Sequence, residues 1–413
     1  MTAAPAQAPV AERASATAVT RDVFIVCNTI HEVGGVQRWA HRIGELLAER
    51  GHRVRLVGVF AVRDPQDPAA GSGRPAPYST SVLHPDKFGA KPRPALLARL
   101  GNPAAALRYR LWRSEQRAGA ARLAALLKTA ADPESAVVIC AQVHAMEWVE
   151  LAEPMNQAAP YPVIAMSHES YEAAQASSRG RRVRQHYADA ARFLSLTRID
   201  ADRWIREGGM NNADAIPNPL PLPADGGADP AAQVVVSAGR LSQEKGFDLL
   251  VEAWALALAD PAHDRSGWTL RIHGEGPERE ALTAQAASLG VSGSVDFAGQ
   301  TADIGTALKQ GSVFASGSRA EGFPMALLEA MACGLPCVAF DCAPGVRELI
   351  RDGRNGALVP PGNVHALAER LGELMDSPES REQQGKAATE SVAAYAPERI
   401  VDRWEAMFTL VHR

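Results

Sequence analysis

The feature that most constrains this chain is a repeated alternation. Short runs of apolar, β-branched residues are each followed by a glycine-containing loop and then by a stretch with helical period. Runs such as Phe24-Ile25-Val26 and Val234-Val235-Val236 have no polar alternation, a pattern that suits strands covered on both faces. Strand, loop and helix repeated in that order specify a parallel sheet with crossover helices. The pattern predicts strands at 22–28, 53–60, 136–140, 161–167 and 191–197 in the first half. In the second half it predicts them at 234–240, 269–274, 294–298, 312–316, 336–341 and 356–359. Between the halves, residues 216–227 hold four prolines and two glycines, which continue neither element. The fold class is therefore α/β: two doubly wound, Rossmann-like units facing a central cleft, with a small ligand expected between them at strand carboxyl ends.

The expected organisation is a disordered Ala/Pro/Thr-rich tail at 1–20, a first unit at 21–216, a linker at 217–227 and a second unit at 228–395. A helix at 396–413 carries Ile400, Trp404, Met407, Phe408 and Val411 at helical spacing and is expected to cross back to the first unit. No window approaches the length of a membrane span, and the first 20 residues lack the apolar core of a secretory signal. Five cysteines, an odd number, fit a reducing compartment, so a cytoplasmic protein is expected. Cys27 and Cys140 end apolar runs and read as core; Cys333, Cys337 and Cys342 have no histidine beside them to complete a zinc pattern, and no metal is expected.

The net charge of −4 hides an asymmetry. Residues 1–218 hold 27 Lys and Arg against 21 Asp and Glu, whereas residues 219–413 hold 16 against 26. A net basic first half suits an anionic partner. Its densest part, 86–128, has ten basic residues against two acidic, interleaved with Phe88, Leu96, Leu97, Leu100, Tyr109, Leu111 and Trp112. That composition fits either a peripheral contact with an anionic membrane face or a solvated helix face. Arg179, Arg181, Arg182 and Arg184 form a second basic group. No nucleic-acid-binding module accompanies these clusters and the whole chain is acidic, so no nucleic-acid partner is expected.

Two places concentrate candidate chemistry. After the strand at 234–240 comes Leu241-Ser242-Gln243-Glu244-Lys245-Gly246, then a helix from Phe247. Arg240 and Lys245 beside free helical amides form a natural cradle for a diphosphate, or else a solvated turn. Glu321-Gly322-Phe323-Pro324-Met325 leads into a helix expected at 326–333, with Glu329 eight residues after Glu321. Pro324 suits a first helical turn, and two carboxylates facing a cleft accept hydrogen bonds from sugar hydroxyls. A cap and a solvated face would produce the same spacing.

Taken together and in order, these motifs resemble family 4 retaining glycosyltransferases of the GT-B fold over about residues 22–410. The resemblance rests on Gly239-Arg240 through Lys245-Gly246, on His273-Gly274-Glu275-Gly276-Pro277-Glu278, and on Glu321 with Glu329. Gly34-Gly35-Val36-Gln37-Arg38, Ser167-His168-Glu169 and Ile216-Pro217-Asn218-Pro219 complete it. It implies a first unit that binds the acceptor and a second that binds a nucleotide sugar. It implies that Arg240 and Lys245 neutralise the donor diphosphate, that Glu329 binds ribose and that Glu321 contacts the transferred sugar. Gly322, Phe323, Pro324 and Met325 would supply backbone donors. Gly34 and Gly35 would let the backbone approach the diphosphate from the opposite unit. His168 would bond the sugar or the reacting oxygen, while Gly239, Gly274 and Gly299 would lie against the nucleotide.

The expected reaction is metal-independent, same-face transfer of a hexose from a UDP-sugar to a cell-surface glycan, lipid-linked or other glycoconjugate acceptor, with no cofactor beyond that co-substrate; GDP stays open as the nucleotide. The rival readings are a nucleotide-sugar epimerase on the same scaffold and a catalytically silent sugar-nucleotide-binding protein. A nicotinamide dehydrogenase is set aside because the first strand leads to Gly34-Gly35 without a Gly-x-Gly-x-x-Gly turn.

Overall fold

The computed structural model describes residues 19–32, 34–62, 76–85, 103–152 and 161–412. The first sheet contains β1 (Asp22–Cys27), β2 (Arg53–Phe60), β3 (Ser79–His84), β4 (Val137–Cys140), β5 (Val163–Met166), β6 (Arg192–Ser195) and β7 (Ala213–Ala215). The second contains β8 (Val234–Ala238), β9 (Thr269–His273), β10 (Val295–Gly299), β11 (Val313–Ser316), β12 (Cys337–Phe340) and β13 (Gly356–Val359). Their orders are β3-β2-β1-β4-β5-β6-β7 and β10-β9-β8-β11-β12-β13. Every pairing is parallel, with Ile25 opposite Leu56 and Ile139, and Val236 opposite Arg271 and Phe314. Each sheet reverses its winding once, between β1 and β4 and between β8 and β11. Helices diverge to opposite faces there and leave a crevice beyond the strand ends, the place where open α/β sheets bind ligands.

Several predicted strands stop early at their carboxyl ends. Asn28, Ser167, Arg240 and Gly274 lie in loops; the Asn28 amide donates across the sheet end to Gln142 Oε1, in the loop after β4, at 2.9 Å. β10 instead begins one residue later than the sequence pattern suggests and reaches Gly299, which takes φ +77°. Two strands were absent from the sequence reading. β3 reads Ser-Thr-Ser-Val-Leu-His, without an apolar run, and β7 is three residues long. Both are edge strands, where short, polar sequence is tolerated. The tail at 1–18 and residues Phe88, Leu96, Leu97 and Leu100 lie outside the described residues.

The helix Pro397–Val411 packs on the helix Gly35–Glu49 of the first unit. Trp404 is fully buried with its ring 6.1 Å from Trp39, Arg50 donates to Asp402 at 2.8 Å, and His52 bonds Glu405 at 3.3 Å. One apolar cluster therefore runs from Ile25 and Trp39 through Trp404 to Phe323, Leu327 and Met331, joining both sheets. The proline-rich segment is pinned to the second unit: Leu220 N–H donates to Tyr395 O at 2.8 Å and Gly226 N–H to Ala332 O at 3.0 Å. All five cysteines are free, and only Cys342 is not fully buried.

Candidate active site

Beyond the β8/β11 reversal two loops touch because both carry glycine. Gly246 takes φ +59°, and a Cβ there would lie 1.8 Å from Gly317 O. With that space empty, Lys245 at the end of the one-turn helix Gln243–Lys245 reaches the loop after β11. Its Nζ donates to Glu321 Oε1 at 2.7 Å, and Ser318 Oγ donates to the same oxygen at 2.8 Å. Ser318 was missed by the sequence reading; a hydroxyl three residues before a candidate acid was the available signal. Arg240 is exposed, and no hydrogen bond or ion pair among the described residues holds its guanidinium. Of these two cations, Lys245 is paired and Arg240 has no partner among the described residues.

Glycines also lace the floor together. Gly274 takes φ +147°, and a Cβ on it would strike Gly239 O at 1.9 Å. Gly239 N–H donates to His273 O at 3.0 Å and Gly274 N–H to Gly299 O at 2.8 Å, so the loops after β8, β9 and β10 meet edge to edge.

The helix Met325–Ala332 starts one residue before the expected position, which makes Pro324 its capping residue. Phe323 packs its buried ring 5.4 Å from Tyr395, and the Met325 sulfur accepts from Asn218 Nδ2 at 3.3 Å. Asn218 thereby ties the proline-rich segment to the site. Gly322 touches the first unit: a Cβ there would lie 2.1 Å from His168 O. Its small size is required by that approach. Glu329 is half-buried and makes no side-chain hydrogen bond among the described residues. Burial pushes its carboxyl up to about 7, opposed by the charge of Arg38. Arg38 stands in the first turn of the helix Gly35–Glu49, so the two groups face each other from different units. The sequence places Arg38 in the motif Gly34–Arg38 but assigns it no role of its own.

His168 follows β5 and packs edge-on to Trp39 at 4.8 Å. Its Nε2 is buried with no hydrogen-bond partner among the described residues, and burial lowers its pKa to about 4. The imidazole is therefore neutral at ordinary pH. Gly34 O accepts from Arg38 N–H at 3.0 Å, and a Cβ on Gly35 would meet nothing within 4 Å among the described residues. The structure thus joins Lys245 to Glu321 and Gly322 to His168, sets Glu329 opposite Arg38 without a hydrogen bond, and leaves the Arg240 side chain with no hydrogen-bond or ion-pair partner among the described residues. Of the second basic group, Arg179 pairs with Glu169, Arg182 bonds His144 and Glu147, and Arg184 bonds Gln175.

Two parallel, doubly wound sheets with a basic and acidic crevice between them define the GT-B class. Solved structures share the whole architecture: Staphylococcus aureus TarM, crystallised with UDP (TM-score 0.73, 12% identity), matches over 94% of this chain and 99% of its own. Anabaena HepE, also crystallised with UDP (TM-score 0.69, 18% identity), matches over 94% and 100%. Residues 222–391 match the family described as "Glycosyl transferases group 1". An uncharacterised glycosyltransferase of Haemophilus influenzae is 33% identical over 217 residues, which is 52% of this chain and 60% of the relative. The amylovoran biosynthesis glycosyltransferase AmsD of Erwinia amylovora is 28% identical over 53% of this chain and 62% of its own length.

Proposed function

We propose that the protein is a family 4 retaining glycosyltransferase that moves a hexose from a UDP-sugar to a glycan, lipid-linked or other glycoconjugate acceptor. The observation that carries this reading is the Lys245–Glu321 pair at 2.7 Å beside the unpaired Arg240. A diphosphate entering the crevice exchanges Glu321 for phosphate at Lys245 and takes Arg240 as its second cation. As the bond between C1 of the sugar and the phosphate oxygen breaks, its electron pair moves onto the diphosphate, where both cations stabilise it. The freed Glu321 accepts hydrogen bonds from sugar hydroxyls, and Glu329 accepts them from ribose. The acceptor oxygen bonds C1 on the face the phosphate leaves, and the acceptor proton passes to a phosphate oxygen. Cationic assistance of the leaving group makes the reaction metal-independent in this reading. His168, neutral, bonds the sugar or reacting oxygen without serving as an acid.

The matches to glycosyltransferases and to folds solved with UDP support the same reading. No helix among the described residues is long and apolar enough to cross a membrane. Leu107 and Leu111 are exposed beside Arg108 and Arg110 on the helix Pro103–Leu127, which supports peripheral contact with an anionic leaflet from the cytoplasmic side. The test is a thermal-shift panel of nucleotide sugars, followed by mass and NMR analysis of the product with the tightest donor, with and without EDTA. A UDP-sugar is expected to shift melting most and to give a product of retained configuration in EDTA. No shift with any nucleotide sugar overturns the proposal.

A further inference from the structure

The back of the second unit holds a cavity that the crevice chemistry does not use. It measures about 380 Å³, within the roughly 300–1,000 Å³ of small-molecule sites. One wall is the glycine-containing segment at 225–230, the next is the loop at Gly334, and the third is the helix Pro378–Val392. Ser312 and Gly334 precede β11 and β12, so the cavity lies at the amino ends of the strands, opposite the crevice. Gly226 and Gly227, at φ +64° and +95°, hold their segment against the second unit. The amides of Gly226 and Ala228 donate to Ala332 O and Cys333 O at 3.0 Å, and the Gly227 amide between them has no partner among the described residues. Ala228 and Pro230 supply the only apolar side chains among the described lining residues. Such walls suit a polar ligand and not a lipid or an aromatic ring.

The buried charge on this cavity is Arg381, 3% exposed. Its Nε donates to Pro230 O at 2.7 Å, and Nη1 donates to Leu374 O at 2.6 Å and Met375 O at 2.8 Å. Those bonds use three of the five guanidinium N–H groups and leave both on Nη2 with no acceptor among the described residues. The Trp268 ring, 5.0 Å from Cζ, holds the group in place. No carboxylate among the described residues pairs with it; Asp376, the acid nearest in charge terms on the preceding helix, is spent on Arg265 at 2.9 Å. A buried cation with two idle donors gains most from an anion. At the exposed rim, Asp225 is spent on Lys309 at 2.9 Å, while Glu382 and Glu390 stand one turn to either side of Lys386, none of the three in an ion pair among the described residues. Those two acids oppose a second negative charge and accept hydrogen bonds from hydroxyls. We infer that this cavity is a second ligand site, taking a small hydroxylated molecule with a single anionic head group on Arg381 Nη2 and the Gly227 amide. The ligand bridges the segment at 225–230 to the helix Pro378–Val392.

The full chain is titrated by calorimetry with glucose 6-phosphate, glucuronate, glucose, glucosamine and inorganic phosphate. At least one of the two anionic sugars is expected to bind about tenfold or more tightly than glucose, glucosamine or phosphate alone, and the tighter of the two identifies the head group as phosphate or carboxylate. That ligand is expected to slow hydrogen exchange at 225–230 and 381–390 together. Arg381→Gln should weaken its binding about tenfold, whereas Lys245→Ala, in the crevice, should change it less than about twofold. If Arg381→Gln does not fold, Lys386→Glu adds a third acid at the rim and should weaken binding about fivefold. Failure of both anionic sugars to bind overturns the inference, as does equal binding of glucose or of phosphate alone. Loss of binding in Lys245→Ala, or protection confined to the crevice loops, overturns it as well.

Discussion

Gly322→Ala tests whether contact between the two units sets catalytic geometry. The added Cβ would stand 2.1 Å from His168 O, whereas such contacts essentially never fall below 3.0 Å. The clash is with a backbone oxygen rather than the end of a flexible side chain, and the two residues lie on loops that follow strands of different sheets, so no side-chain rotation relieves it. The units must separate by close to an ångström at the point where donor and acceptor sides meet. Misplacement by about 1 Å costs on the order of 10²-fold in rate, equivalent to about 2.7 kcal/mol of activation free energy. Overpacking in a core costs about 1–3 kcal/mol, but here opening the cleft relieves the strain without unfolding either unit, and the melting temperature is expected to fall little. Lys245, Glu321 and Glu329 all belong to the second unit, so UDP affinity by calorimetry should stay within about threefold. Nucleotide release at saturating donor should fall about a hundredfold. Wild-type turnover, or equal losses of affinity and turnover, would refute the reasoning.

Four further outcomes are expected. Lys245→Ala removes a cation from the leaving group and leaves Glu321 without its partner, so turnover should fall by about 10²–10³-fold with the circular dichroism spectrum unchanged. Glu329→Gln should stabilise the protein at pH 8 and not at pH 4 in denaturant titrations. An acid raised to about 7 loses stability as pH rises from 4.5 through 7, and the amide escapes that loss, worth at most about 3 kcal/mol; the same variant should bind UDP more weakly. His168 is neutral above about 4, so His168→Asn should lower the rate but keep the wild-type shape of the pH–rate profile from pH 5.5 to 8. Trp404→Ala empties a fully buried site between the units and should cost about 3–5 kcal/mol in denaturant unfolding.

Much of the fold is legible in the sequence because strands buried on both faces must be largely apolar; β1, β8 and β12 announce themselves in this way. Edge strands escape that rule, and β3 and β7 passed unread. Residues of the site were visible as motifs, since Lys245-Gly246 and Glu321-x7-Glu329 keep fixed local spacing. Their relations were not. The Lys245–Glu321 bond joins residues 76 apart and depends on Gly246 and Gly317 excluding two side chains. Nothing local to Gly322 reveals that His168 lies against it, and nothing local to Glu329 reveals that burial and Arg38 compete over its charge.

The most direct measurement is a crystal structure of the complex with UDP. Its diphosphate is expected within hydrogen-bond distance of both Lys245 Nζ and the Arg240 guanidinium, with Glu321 released from Lys245. A diphosphate bound away from those two cations, or a Lys245–Glu321 pair left unbroken beside it, would contradict the proposed chemistry.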